Sequence, residues 1–536
     1  MVAFILLTER LGMRMYPVGS GAWRRILVPI MGSLAMGYLL FRHFPEARGS
    51  GVPQTKAALF ARDGVITART AMGKFFCTAA TLASGIPLGR EGPSVQVGGG
   101  IASILGRRLG LGNERVKALI PVGAAAAIAA AFNTPLAAVL FSLEEIMGDL
   151  NAPVLGSVVL ASATSWVVLR LLLGNAPLFH VPQYQLVHAV EFAIYGVLGV
   201  VGGFVSAAFT KLLLEMRSRF LRVPRRMQWF LPVVGGAVAG LMGWFVPQVL
   251  GVGYGYVGDA LNGRMALRLM ALLVVLKLVA TTTSYSSGNA GGIFGPSLFI
   301  GAMLGGSVGS IAHGLWPNHT ATAGAYALVG MGTAFAGIVR APMTSVVMIF
   351  ELTQDYAVIV PLMISNLVSF FISSRLQREP IYEALARQDG IHLPGRDSTR
   401  RQRQRQVSET VRAATEVLQS EMTVREAFGR ARESVFHAWP LMEGRAVVGV
   451  VSLARIEEAL ASGEATRKLN EIIDTIDFPH VHPDQPLHVA LERMGTAKLD
   501  VLPVVSRANV HDLLGVVVTR DILGSYGVEH GGSANS

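Results

Sequence analysis

Cysteine is almost missing from this sequence, and charged residues are scarce. Cys77 is the only cysteine among 536 residues and lies in apolar sequence, which excludes a disulfide framework and a thiolate metal cluster. Only 15% of the residues are charged, whereas 51% are hydrophobic, and this balance excludes a protein that is soluble throughout. Met1–Leu11 has neither a basic leader nor a small-residue cleavage site, so we expect no cleaved signal peptide. The composition predicts a polytopic membrane protein.

Apolar stretches recur along the first three quarters of the chain. Several are shorter than the roughly 20 residues that a spanning helix needs, and short, interrupted segments are typical of transporters. The stretches are Leu27–Phe41, Ala118–Phe141, Val154–Leu173, Val190–Phe209, Phe230–Val249, Leu267–Ala280, Ser297–Ile311, Tyr326–Ile338 and Val358–Ser373.

The basic residues indicate an orientation rather than a nucleic-acid partner. The formal net charge is +11, but many of the basic residues cluster beside apolar spans, which predicts that those loops are cytoplasmic. The loop Gly174–Val187 has no Lys, Arg, Asp or Glu and is expected outside. The two basic clusters comprise Arg217, Arg219, Arg222, Arg225 and Arg226, and then Arg396, Arg400, Arg401, Arg403 and Arg405.

Three Gly/Pro breaks interrupt the apolar sequence at Gly49–Pro53, Gly89–Pro93 and Gly292–Pro296. Each break is expected to open a helix whose first N–H groups lack intrahelical acceptors, and such ends stabilise anions. Irregular backbone inside a membrane is tolerated only around a cavity or within protein, so the three breaks predict one shared polar site near the midplane. Taken singly, each break also fits a hinge between closely packed helices.

The polarity changes abruptly after Gln388. We expect a membrane domain over residues 1–388 and a basic linker over 389–406. In the tail, Ala446–Val451 leads into Ile456–Leu460, and Leu513–Val518 leads into Ile522–Ser525. This repeated pattern of strand, turn and helix predicts a small α/β domain made of two halves.

The membrane sequence resembles the CLC family of chloride channels and proton/chloride exchangers from Leu27 to Ala386. The motifs that carry the resemblance occur in family order. They are Gly-Ser-Gly-Val-Pro at 49–53, Gly-Arg-Glu-Gly-Pro at 89–93, Ala-Phe-Asn-Thr-Pro-Leu-Ala at 131–137, Glu144-Glu145, Gly292–Pro296, Arg340-Ala341-Pro342 and Pro380-Ile381-Tyr382.

The resemblance implies a chloride site built from neutral donors. These would be the hydroxyl groups of Ser50 and Tyr382 and the backbone N–H groups of Ile293 and Phe294. Neutral donors favour moderate affinity and fast exit. On its own, Ser50 also fits a helix N-cap and Tyr382 an interfacial anchor. A serine at position 50 favours chloride over nitrate, because nitrate-preferring relatives tend to carry proline there.

The resemblance also implies two functional carboxylates. Glu91 matches the family's gating glutamate, which competes with chloride and moves aside when protonated, although an acid here also fits a helix cap. Glu145 matches the internal proton-transfer glutamate of the exchangers, where passive channels commonly carry valine; a solvated helix end is the alternative. Adjacent residues on a helix point about 100° apart, so Glu144 is expected to face elsewhere. Lys277 lies in an apolar helix and needs a partner that the sequence does not identify.

The tail resembles a pair of CBS repeats, at residues 407–461 and 478–526. Thr519 and Asp521 stand where that family often contacts a nucleotide, whereas the first repeat has Leu453 and Arg455 at those places. Adenine nucleotide is therefore one expectation for the tail, and a regulatory or dimer-stabilising tail without ligand is the other. His480 and His482 alternate on a predicted strand, and two histidines without further ligands are typical of ordinary strand residues rather than of a metal site.

Together these features predict an all-α polytopic membrane protein of the CLC fold, with inverted repeats and broken helices, followed by an α/β CBS pair. The resemblance implies a homodimer in a bacterial inner membrane, with the tail in the cytoplasm, that exchanges chloride for protons. No enzymatic activity, required cofactor or metal is expected. A passive voltage-gated channel is the first alternative, and a CBS-regulated divalent-cation transporter is a distant one. Only Val2–Leu7 stands where relatives carry earlier helices, so we expect either a truncated chain or a start codon chosen too late.

Overall fold

The chain divides into two units, Met1–Leu393 and Pro394–Ser536. The computed structural model describes residues 22–150, 153–174, 179, 187–393, 405–473 and 478–526. The predictions for Met1–Leu11, for most of the Gly174–Val187 loop and for the basic residues between 396 and 403 lie outside the described residues.

The first unit is helical throughout its described part. Seven helical stretches there are long and apolar enough to cross a membrane. Its helices are α1 (Trp23–Arg42), α2 (Val52–Ala61), α3 (Ala68–Ala83), α4 (Glu91–Arg108), α5 (Asn113–Phe132), α6 (Pro135–Phe141), α7 (Leu155–Leu173), α8 (Glu191–Leu221), α9 (Pro232–Phe245), α10 (Tyr254–Leu261), α11 (Leu267–Ser286), α12 (Phe294–Leu315), α13 (Ala323–Val339), α14 (Pro342–Thr353), α15 (Ile359–Leu376) and α16 (Ile381–Gln388).

The apolar stretch Ala118–Phe141 holds two helices rather than one. α5 ends at Phe132, Asn133 takes a left-handed conformation with φ of 62°, and Pro135 opens α6. A π-helical segment, Ser142–Met147, follows α6 directly. Because a π turn holds an extra residue, such segments often occur where side chains must be redirected at functional sites.

Two triplets of helices in the first unit repeat one design, α4–α5–α6 and α12–α13–α14. The first two helices of each triplet cross at glycines. A Cβ atom on Gly98 would lie 2.3 Å from the carbonyl oxygen of Gly123, and one on Gly301 would lie 2.2 Å from that of Gly330. Glycine is therefore needed at both crossings. Each triplet continues through one left-handed residue to a proline that opens its third helix.

The two triplets are inverted relative to each other. Gly89 and Gly292 precede the first helices of the triplets, and each donates its N–H to the carbonyl oxygen of the other at 2.7 Å. This reciprocal, antiparallel exchange is the pattern of a local two-fold axis, and it agrees with the predicted inverted repeats.

The second unit is a small α/β domain of two similar halves. In each half, two antiparallel strands form a hairpin and a helix follows the second strand, as predicted. Apolar residues of strands and helices form a separate core in each half. The first half contains β1 (Leu418–Gln419), α17 (Val424–Ala431), β2 (Ala438–Glu443), β3 (Ala446–Ser452) and α18 (Leu453–Ala461); the second contains α19 (Leu487–Ala497), β4 (Val501–Val505), β5 (Leu513–Val518) and α20 (Thr519–Ser525).

Candidate functional site: three helix N-termini around a carboxylate

The three Gly/Pro breaks lie together, as predicted. α2, α4 and α12 begin at Val52, Glu91 and Phe294. The reciprocal hydrogen bonds between the Gly89 and Gly292 backbones join the second and third breaks. A Cβ atom on Gly92 would lie only 2.5 Å from the Ser50 carbonyl oxygen, so the first break also approaches the second at backbone contact. Three helix N-termini that are far apart in sequence therefore lie together in one buried region.

The segment before α2 is held in an unusual conformation. Gly51 has φ of +101°, a value that side-chain-bearing residues rarely adopt. The Gln54 side chain accepts the Gly51 N–H at 2.9 Å, and the Thr55 hydroxyl donates to the Gly51 carbonyl oxygen at 2.8 Å. The buried Lys74 ammonium donates to the carbonyl oxygens of Ala47, at 3.0 Å, and Gly49. These contacts fix the position of Ser50.

Ser50 presents an unsatisfied hydroxyl. Its N–H donates to the Tyr285 hydroxyl at 3.2 Å. Its Oγ atom is buried and makes no hydrogen bond to any residue that the structure describes. A buried polar atom without a partner is costly, so an anion at this place would relieve the cost.

The other chloride-site residues of the sequence analysis are buried in the same unit. Ile293 caps α12 and Phe294 begins it, so their N–H groups belong to the turn that lacks intrahelical acceptors. The Phe294 ring packs against an aromatic cluster of Phe132, Phe141 and Phe335, at centroid distances of 4.8, 5.5 and 4.3 Å. Tyr382, near the start of α16, is fully buried.

The Glu91 side chain occupies the N-terminal end of α12. Its side chain is buried; Oε2 accepts the Gly295 N–H at 3.2 Å, and Oε1 accepts the Tyr254 hydroxyl. The Arg90 Nε atom lies 3.9 Å from Oε1, and the guanidinium also lies over the Tyr254 ring at 5.5 Å. Glu91 begins α4 but binds donors of α12 and α10. The carboxylate thus stands where the helix end would otherwise hold an anion.

Lys277 bonds to backbone rather than to a carboxylate. Its ammonium donates to the carbonyl oxygens of Val249, at 2.9 Å, and Gly251, at 2.6 Å, and lies 4.5 Å from the centroid of the Phe299 ring. These carbonyls belong to the loop that leads into Tyr254. Lys74 fixes the Ser50 loop in the same manner, so each of the two lysines orders a loop that carries a site hydroxyl.

The adjacent glutamates face different partners, as predicted. Glu144 accepts the N–H groups of Met343, at 3.3 Å, and Thr344, at 2.8 Å, and so caps α14. Glu351, which lies in α14 of the second triplet, caps α6 of the first triplet in the same way, because it accepts the N–H groups of Leu136 and Ala137. Glu145 is fully buried and pairs with Lys56 at 2.9 Å. The solvated helix end considered for Glu145 is therefore wrong.

Lys56 and Glu383 were missed by the sequence reasoning. The Lys56 ammonium lies 2.6 Å from Glu383 Oε1, in addition to its contact with Glu145. Two signals were available: a lysine within the apolar start of α2, and a carboxylate next to Tyr382. Their meeting could not be foreseen, because α2, α16 and the π-helical segment are distant in sequence.

A cavity of about 330 Å³ lies beside the Ser50 segment. Its lining includes Gly49, Arg48, Tyr285 and Arg217. Arg217 donates to Asp389 at 2.6 Å, and the positive-inside rule predicts the cytoplasmic side for Arg217. The cavity lining combines the basic side chains Arg48, Arg62 and Arg217 with the acidic side chains Glu46 and Asp389.

The tail residues singled out by sequence make contacts within their own unit. The Arg412 guanidinium donates to Asp521 at 2.5 Å, and the Thr519 hydroxyl donates to the Asp500 carbonyl oxygen at 3.2 Å. Nδ1 of His480 lies 2.9 Å from the carbonyl oxygen of Phe478, and Nδ1 of His482 lies 3.0 Å from that of Val505. No group of three or more metal-ligating side chains occurs among the described residues.

Comparisons with known proteins match both units. Residues 32–374 match the voltage gated chloride channel family and residues 469–527 match the CBS domain. The H(+)/Cl(−) exchange transporter ClcA of Vibrio campbellii is 34% identical over 364 residues, which cover 66% of this chain and 78% of that protein. The structure of a slow cyanobacterial Cl−/H+ antiporter matches with a TM-score of 0.64 and 25% identity, and the match covers 72% of this chain and 92% of the antiporter chain. A eukaryotic CLC transporter shares the fold at a TM-score of 0.60 and 21% identity, over 97% of this chain and 94% of its own. With its breaks, inverted triplets and terminal CBS domain, this chain belongs to the voltage-gated chloride channel family.

Proposed function

We propose that this protein exchanges chloride for protons across a membrane. The observation that carries the proposal is the position of Glu91, whose carboxylate accepts the Gly295 N–H and the Tyr254 hydroxyl, donors suited to an anion. A negative side chain at such a place competes with a mobile anion. Protonation removes the negative charge of Glu91, so the side chain no longer competes with chloride for the site. The binding of a proton is thereby coupled to the passage of chloride. The relatives named as H(+)/Cl(−) exchange transporters support the same function.

In this proposal chloride is held by Ser50, Tyr382 and the N–H groups of Ile293 and Phe294. The buried, unpartnered Ser50 hydroxyl and the first turn of α12 supply donors without a full positive charge. Donors of this kind bind chloride moderately and release it quickly.

Glu145 supplies protons to Glu91 from the opposite side of the chloride site. Its burial and its contact with Lys56, which lies on the helix that follows Ser50, support this role. Glu144 takes no part, because its carboxylate caps α14.

The assembly and the setting are further parts of the proposal. We place the protein as a homodimer in a bacterial inner membrane, with a pathway in each subunit and the tail in the cytoplasm. The basic residue Arg217 beside the cavity supports this orientation. The protein acts as a transporter rather than as an enzyme. Adenine nucleotide would bind the tail near Thr519 and Asp521, where the Arg412 guanidinium is suited to phosphate.

The test is chloride-driven proton uptake into liposomes that contain the purified protein. Wild type should move protons uphill. Glu91→Gln should lose proton movement and retain chloride flux, because the gate no longer titrates, and Glu145→Val should do the same. Glu144→Gln is the matched control and should keep coupling. Chloride flux without proton movement in the wild type would indicate a passive channel instead.

A further inference from the structure

Two buried charged side chains, Lys56 and Glu145, and one partly buried one, Glu383, form a connected chain beside the proposed chloride site. The Lys56 ammonium lies 2.9 Å from Glu145 Oε1 and 2.6 Å from Glu383 Oε1. Both distances are direct hydrogen-bond contacts to the same nitrogen. Lys56 therefore links the two carboxylates, which come from the π-helical segment and from α16.

The three groups differ in their access to water. The Glu145 side chain is 0% exposed and that of Lys56 is 5% exposed, whereas that of Glu383 is 11% exposed. A proton that reaches Glu145 from solution through this chain of groups must enter at the group with the most access to the surface. Among these three, that group is Glu383, which contacts Lys56 through Oε1, although its Oε2 atom is itself buried.

We propose that Glu383 is a proton-transfer residue that supplies Glu145 through Lys56. Glu383 takes a proton from hydronium in the aqueous solution, which leaves water. The Lys56 ammonium then gives one proton to Glu145 Oε1 and recovers one from Glu383 Oε1, so Lys56 ends unchanged, Glu383 is ionised and Glu145 is neutral. Each step joins atoms already within reach for proton transfer. The inference rests on the proposed exchange function and adds the segment between solution and Glu145.

Two of the three relay groups, Lys56 and Glu383, lie on helices that adjoin or carry proposed chloride ligands. Glu383 follows Tyr382 directly on α16, and Lys56 lies in the first two turns of α2, which opens just after Ser50. A shift of either helix would therefore change the chloride contacts and the relay together. That connection gives the proton route a physical means of responding to the occupant of the site.

The competing explanation is purely structural, in which Glu383 only compensates the buried Lys56 charge. A buried ion pair is costly to break by removing one partner. The two explanations differ at Lys56→Arg, because arginine keeps the positive charge and the hydrogen bonds but does not release a proton. A structural role tolerates this change, whereas a relay does not.

The experiment measures proton and chloride fluxes in liposomes for wild type, Glu383→Gln, Glu383→Asp and Lys56→Arg. We expect Glu383→Gln and Lys56→Arg to lower proton flux about tenfold or more, with chloride flux within about twofold of wild type. Glu383→Asp should recover proton flux, since it restores a titratable carboxylate. Glu379→Gln is the matched control: Glu379 lies on the same segment and pairs with Arg387 at 2.6 Å, so coupling should persist.

Wild-type proton flux in Glu383→Gln would overturn the proposal, and wild-type flux in Lys56→Arg would overturn the route through Lys56. If Glu383→Gln lost both fluxes and Glu383→Asp restored only chloride flux, the carboxylate would be structural and the proposal would also be overturned. A wild type without uphill proton movement would instead refute the exchange function itself. The two failures are therefore distinguishable.

Discussion

Removing the Tyr254 hydroxyl would weaken the binding of the Glu91 side chain in its site without changing the carboxylate itself. It donates to Glu91 Oε1 in a buried setting. A hydrogen bond to a charged group contributes about 1.5–3 kcal/mol. Tyr254→Phe removes that bond, whereas the ring can keep its contacts with Arg90, at 5.5 Å, and Phe179, at 5.4 Å.

The loss should favour chloride in its competition with Glu91. If the carboxylate holds the site in the resting state, a loss of about 1.5–3 kcal/mol corresponds to an apparent chloride affinity roughly 10- to 150-fold tighter. Isothermal titration calorimetry on the purified protein, with chloride titrated into chloride-free buffer, measures this directly.

A double-mutant cycle separates this effect from a general change in the site. In a Glu91→Gln background the charged acceptor is already gone, so Tyr254→Phe should change chloride affinity by no more than about twofold. Equal shifts in both backgrounds would show that Tyr254 does not act through Glu91. An unchanged affinity in the single Tyr254→Phe variant would refute the reasoning altogether.

Three further changes test the site and its supports. Tyr382→Ala removes a proposed chloride donor and should weaken chloride binding about tenfold by calorimetry; unaltered affinity would count against this assignment. Gly92→Ala places a Cβ atom 2.5 Å from the Ser50 carbonyl oxygen, so overpacking should lower stability by about 1–3 kcal/mol, visible as a lower Tm, and an unchanged Tm would contradict that contact. Lys277→Met leaves one buried and one partly buried loop carbonyl without their donor and should cost about 1–3 kcal/mol; an unchanged midpoint of thermal unfolding would show that the loop is ordered by other contacts.

Local chemistry explains which parts of the fold were predictable. The breaks at Ser50, Glu91 and Phe294 were visible because glycine and proline determine where a helix can start. The two halves of the tail were visible because β-branched runs lead directly into charged amphipathic segments. The sequence also carried an Asn-Thr-Pro signal after Phe132, but the continuous apolar character on both sides concealed the helix end.

The contacts between distant segments could not be predicted in the same way. Tyr254 reaches Glu91, and Lys56 reaches Glu383, only because helices from different parts of the chain pack side by side. Lys277 is the clearest example. An intramembrane lysine indicates that a partner exists, but its partners here are backbone carbonyls, which every residue has, so the sequence cannot show which ones it contacts.

The inverted triplets have a consequence for the sidedness of the protein. A two-fold axis in the membrane plane exchanges the two faces, so a perfectly symmetric pair would treat both compartments alike. Glu144 and Glu351 obey this symmetry, because each caps a helix of the opposite triplet. Glu91 and Glu145 break it: Phe294 begins α12 where Glu91 begins α4, and Leu352 follows Glu351 where Glu145 follows Glu144. The backbone of the two triplets is thus related by symmetry, whereas these two carboxylates occur on one side of that symmetry only; in the proposed exchange they would give the proton path its direction.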